Sequence, residues 1–156
     1  MKVLGVAAAV VVALGAGCGD GGGGGGRLSK SEYEHKLNGE GDHLSAAFSA
    51  VQLGATSNIA ALVPKLTKLQ GELDRSASRL EGLEVPKEAE ADNQKIADIL
   101  HRLADKFGEL KDAAKAKDQA RIQQLGREVI AILREGLAVA KDLERKGFDV
   151  GKLGNG

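Results

Sequence analysis

The chain has a single cysteine among its 156 residues, two prolines, one methionine and only 3% aromatic side chains. One thiol excludes a disulfide framework and a four-thiolate zinc site. The 22 basic residues are balanced by 22 acidic ones, so the clustered Lys and Arg excess of a nucleic-acid binder is missing. The length suits one domain and leaves no room for a two-domain cofactor enzyme. No G-x-S-x-G nucleophile elbow occurs, and no C-x-x-C-H haem attachment. On these grounds neither an enzymatic activity nor a cofactor is expected. Glycine is scarce once it is mapped, because ten of the 22 fall in the first 26 residues. What remains is rich in Ala, Leu, Lys and Glu, the residues that favour helix.

The chain opens on Met1-Lys2, a short positive region, followed by an uncharged run of Val, Ala, Leu and Gly over residues 3–16. With the small residues after it, this is the three-part pattern of a secretory signal peptide. The run is shorter than the roughly 20 apolar residues of a membrane-spanning helix. Read instead as a buried strand, it would be weakened by Gly5, Gly15 and Gly17. The only cysteine stands where the run stops, in Leu14-Gly15-Ala16-Gly17-Cys18. This segment resembles the lipobox of bacterial lipoproteins, in which small residues precede a cysteine that is lipidated and becomes the mature N-terminus. Gly15 stands where the pattern more often has leucine, and Leu14 lies one place earlier. The resemblance implies a signal peptide over residues 1–17, and a diacylglyceryl thioether with an amide-linked acyl chain on Cys18. It also implies an extracytoplasmic protein, lipid-anchored to the bacterial cell membrane. Two or three acyl chains anchor firmly where one is marginal, each buried CH₂ contributing about 0.8 kcal/mol. The alternative, a secreted soluble protein, leaves a lone thiol open to oxidation outside the cell.

Residues 18–27 read as the lipidated cysteine and a flexible tether, because the six consecutive glycines at 21–26 have no side chain to bury. About eight such residues span roughly 15 Å r.m.s. and near 28 Å when extended. Residues 28–150 read as an all-α, antiparallel four-helix bundle, and 151–156 as a flexible C-terminal tail. Ser29-x-x-Glu32 is a capping box, with Leu28 and Tyr33 placed to form a hydrophobic staple. The first apolar stripe, Tyr33, Leu37, Leu44, Phe48 and Val51, is interrupted by Glu40. Gly39 and Gly41 leave that helix free to bend over residues 38–41. The second stripe runs from Ile59 to Leu83 in alternating steps of three and four, with one polar residue, Ser76, on the seam. Pro64 predicts either a kink or the true helix start, and Pro86 falls at the first position of the third helix. That helix carries Ile96, Ile99, Leu100, Leu103, Phe107 and Leu110 on one face. A break in phase between Lys115 and Arg121 predicts a turn near Asp118. The fourth stripe includes Leu125, Val129, Leu133, Leu137 and Leu143, and Gly147-Phe148 suits a Schellman stop. Gly71 and Gly108 fall on outer positions, Gly136 on the inner stripe.

Each of the three histidines follows a carboxylate by three residues: Glu32/His35, Glu40/His43 and Asp98/His101. Glu-x-x-His on inward helix faces is how four-helix di-metal proteins hold iron or manganese. Those sites need the two motifs on different helices and a Glu from each of the others, whereas here two motifs share the first helix. On the apolar register His35 and His101 lie opposite the seam and His43 at its edge. These six residues therefore read as solvated acid–histidine pairs worth about a few tenths of a kcal/mol each, with metal ligation the lesser reading. The expected function is a non-catalytic binding or structural protein at the cell surface. Its partners would be the membrane, through acyl chains on Cys18, and an envelope protein, with no nucleic acid. A metal- or small-ligand-binding bundle is the alternative, and an oligomeric coiled coil through the second helix a third. A loosely packed first helix would let the bundle open to an acyl chain or a partner helix.

Overall fold

Ser29 and Glu32 close the capping box at the head of the first helix. The Ser29 amide donates to Glu32 Oε2 at 2.8 Å, and the Glu32 amide donates to Ser29 Oγ at 3.3 Å. From that cap the chain builds four α-helices in the computed structural model, which describes residues 26–51 and 59–151. They are α1 (Lys30–Val51), α2 (Val63–Glu81), α3 (Glu90–Ala116) and α4 (Gln119–Arg145). Short 3₁₀ turns, Ile59–Leu62 and Lys87–Ala89, lead into α2 and α3, and no strand occurs among the described residues. The proposed leader, Cys18 and the tether up to residue 25 lie outside the described residues. So do the 52–58 connection and the end of the chain from residue 152.

Helix boundaries follow local chemistry. Pro64 sits in the first turn of α2, so it marks the start of that helix and bends nothing. Pro86 precedes the 3₁₀ turn, and α3 itself begins at Glu90, with Glu90 and Asp92 in the first turn where the helix dipole favours acids. The phase break resolves as a tight reversal: Lys117 takes a left-handed conformation at φ 58°, and Asp118 Oδ1 accepts from the Arg121 amide at 3.0 Å. α4 ends in the Schellman geometry, with Gly147 at φ 84° and the Phe148 amide donating to the Leu143 carbonyl at 3.0 Å.

The helices pack as an antiparallel bundle in which α2 lies against α3, α3 against α4 and α1 against α2. Leu66, Leu69, Leu73 and Leu80 of α2 are buried, together with Leu103 and Phe107 of α3 and Leu125 of α4. Each large apolar side chain so buried contributes about 1.5–3 kcal/mol. Gly108 is not an outer position: a Cβ there would stand 3.0 Å from Gln70 Nε2 of α2. α1 runs unbroken through Gly39 and Gly41, because contacts made by residue 40 between them hold it to α2.

Candidate functional site

α1 is fastened on the flank that faces α2. Glu40 accepts from Arg79 Nε at 2.6 Å and Arg79 Nη2 at 2.7 Å, and from the buried Ser76 hydroxyl at 2.7 Å. Burial alone would raise the Glu40 pKa. The Arg79 fork and the Ser76 hydroxyl outweigh it, and the carboxyl is held below the ordinary range. The residue that breaks the α1 stripe thus meets the residue that breaks the α2 seam.

The start of α1 is held by the segment that follows α4. Tyr33 meets Phe148 edge to face, with ring centroids 5.7 Å apart. Asn38 Nδ2 donates to the Asp149 carbonyl at 3.1 Å, and the Asp149 amide donates to Glu34 Oε1 at 2.8 Å. The Tyr33 hydroxyl is buried with no hydrogen-bond partner among the described residues. Burial, and then the nearby Asp92 charge, push its pKa up.

Past this closure, the residues facing each other across α1 and α4 are small: Gly41 and Ser45 on one side, Gly136 and Ala140 on the other. They leave a groove of about 530 Å³. Its floor is α3, through Ile96, Ile99, Leu100 and Leu103. Leu44 and Phe48 form the α1 wall, Leu133 and Leu137 the α4 wall, and Leu143 and Val150 line the end nearest the C-terminus of α4. Among the described residues Ser45 is the only polar side chain in the lining, and no charged one lines it. The volume falls within the roughly 300–1,000 Å³ of pockets that enclose a small molecule. Periodicity placed Leu133 in the core, but it is 39% exposed, with Ile130 beside it at 51%. These two side chains form an apolar lip on α4. The groove can take up apolar matter, and the Ser45 hydroxyl is the only group in it that could exchange a proton.

The acid–histidine pairs are dispersed. Glu32 is committed to the helix cap, where the Ser29 hydroxyl and then the Ser29 amide lower its pKa. His35 is exposed on α1. Glu40 and His43 remain electrostatic neighbours, but the carboxylate turns to Arg79. His101 is only half-buried, yet it turns towards α2 rather than fully away from the bundle. Its Nε2 lies 3.2 Å from Glu81 and its Nδ1 3.5 Å from Asp74, while Asp98 is exposed. No group of three or more His, Cys, Asp or Glu side chains that could hold a metal ion forms among the described residues. A second hollow, of about 590 Å³, lies by the α2–α3 connection and is lined by Glu81, Glu84, Glu90, Asn93 and Arg27. Arg27 occupies part of it, donating to the Val85 carbonyl at 2.8 Å and to Glu90 at 3.1 Å.

The α1–α4 groove itself escaped sequence reasoning. Its signal was present in the small residues at Gly41, Ser45, Gly136 and Ala140, one pair on each helix. No protein-family model, no curated protein and no solved structure matches the chain.

Proposed function

We propose that this chain is an exported lipoprotein, anchored to the cell membrane through acyl chains on Cys18, whose helical domain is a non-catalytic binding module at the cell surface. The observation that carries the anchor is the position of the sole cysteine at the end of the apolar leader, with only Gly19 and Asp20 between it and six consecutive glycines. The binding role is supported by the groove between α1, α3 and α4, whose lining is apolar but for Ser45. No helix among the described residues is long and apolar enough to cross a membrane; in this reading attachment runs through Cys18, and the tether sets the bundle off from the head groups. Cys18→Ser tests the anchor. The full chain is expected to move from the membrane fraction to the soluble fraction of its host cell. Unchanged fractionation, or an intact mass with Met1 retained and the thiol unmodified, overturns the reading.

A further inference from the structure

We propose that the α1–α3–α4 groove binds a single hydrocarbon chain bearing an anionic head group, a free fatty acid or one acyl chain of an anionic lipid, with the chain end against Val150 and the head group at Arg134. This deepens the binding reading above and does not depend on the anchor.

The lining selects the chemistry. With Ser45 as its only polar side chain, the groove offers nothing to pair with a peptide backbone or a sugar, and a buried polar group without a partner is strongly disfavoured. Shape selects a chain over a helix. The lining runs from residue 41 to 48 on α1 and from 133 to 143 on α4, about 10–15 Å at the helical rise. Its lower end is lined by Leu143 and Val150, which are 0% and 1% exposed. The segment carrying Val150 is tied across to α1 by the Asn38 and Glu34 hydrogen bonds. A partner helix, about 10–12 Å in diameter, is nearly as wide as this lining is long, whereas an extended hydrocarbon chain fits along it.

Charge at the entrance fits an anion. Arg134 follows the wall residue Leu133 on α4, at the end away from Val150, and it is exposed outside the lining itself. It makes no ion pair or hydrogen bond among the described residues, whereas Arg102 on α3 is held by Glu135 at 2.5 Å and Lys106 by Glu128 at 2.9 Å. On the opposite lip Ser45 and Ser49 are exposed hydroxyls. The carboxylate on the same α4 stripe, Glu144, lies at the Val150 end.

The test uses the full chain carrying Cys18→Ser, so that no acyl group of its own competes. Straight-chain alkanoates of eight to sixteen carbons are titrated by calorimetry. One-to-one binding is expected, with affinity rising about fourfold per added methylene until the groove is filled and flat thereafter. Gly136→Leu places a side chain into the groove, where a Cβ meets only Ile99 Cγ2 at an ordinary 3.7 Å, and is expected to cut affinity at least tenfold with the circular dichroism unchanged. Ser45→Phe blocks the opposite wall and serves if the first variant fails to fold. Arg134→Glu is expected to weaken alkanoates several-fold and leave alkanols of equal length unaffected. Flotation with phosphatidylglycerol vesicles, lost in Gly136→Leu, assigns the chain to a membrane lipid; binding of free alkanoate without flotation assigns it to a fatty acid. No alkanoate uptake, uptake indifferent to both blocking variants, or a stable dimer that buries Leu133 overturns the proposal.

Discussion

Replacing Glu40 by Gln removes one negative charge from the place where α1 is held to α2 and leaves the shape nearly unchanged. The carboxylate accepts three hydrogen bonds of 2.6–2.7 Å, two from Arg79 and one from Ser76. The amide keeps one acceptor oxygen and presents its NH₂ to a donor. Bonds to a charged group are worth about 1.5–3 kcal/mol each when sheltered. The Arg79 side chain is 46% exposed, so solvent takes much of its share; the Ser76 hydroxyl, 1% exposed, keeps its full value. Together these give a loss of about 2 kcal/mol, or about 5–10 °C in Tm for a domain of this size. The pH dependence has a definite sign. A carboxyl held below its ordinary value in the fold contributes stability that is complete above the unfolded pKa, about 4.3. That stability is lost as pH falls through the lower folded pKa. The gap between wild type and variant in urea unfolding is therefore expected to be full at pH 7 and to shrink below about pH 4. Hydrogen exchange should show faster opening in α1 with α3 unchanged. A variant within about 0.3 kcal/mol of wild type at pH 7, or a gap that persists undiminished at pH 3, would refute the reasoning.

Tyr33→Phe removes a hydroxyl that is buried without a partner among the described residues; the bundle is expected to gain about 1 kcal/mol in urea unfolding, and a loss of that size would mean the hydroxyl is satisfied. Lys117→Gly relieves a side chain held at φ 58° and is expected to stabilise by about 0.5–1 kcal/mol, read as a rise in the denaturation midpoint at constant slope.

Much of the fold was legible because its boundary chemistry is local. The Ser29–Glu32 box, the Asp118 cap and the Gly147 stop each depend on residues within six positions of one another. The features that were not legible depend on residues distant in sequence. Gly39 and Gly41 left open whether α1 is continuous, and tertiary bonds to α2, 36 and 39 residues away, hold a helix that runs unbroken through them. Glu40 and Ser76 each stood out as a polar break in an apolar row, but only the packed pair shows that the two breaks satisfy one another. His101 was matched with Asp98 by spacing, yet the α2–α3 register gives it Asp74 and Glu81 instead. Leu133 obeys the helical period and is exposed all the same, because periodicity reports direction and cannot report whether a neighbour arrives. The leader motif and Cys18 fall outside the described residues, so the candidate anchor rests on sequence chemistry alone.

Gly136 is where the demands of the fold and the groove part company. In the interior of a helix glycine costs about 1 kcal/mol relative to alanine. A glycine is retained against that cost when a close backbone neighbour leaves no room for a Cβ. At Gly136 the nearest atom to a Cβ is Ile99 Cγ2 at 3.7 Å, so sterics do not require it. Helix propensity and apolar packing both favour a larger residue there, and a local choice that runs against both marks a functional position more often than a structural one. Gly136→Leu is thus expected to stabilise the bundle by about 1 kcal/mol or more while it closes the groove. A purely architectural role for Gly136 has the opposite outcome: if glycine were needed for α4 to pack, leucine would destabilise the fold, and binding would fail only because folding does. A variant that melts higher than wild type and no longer takes up alkanoate can arise only if the empty space is what binding uses.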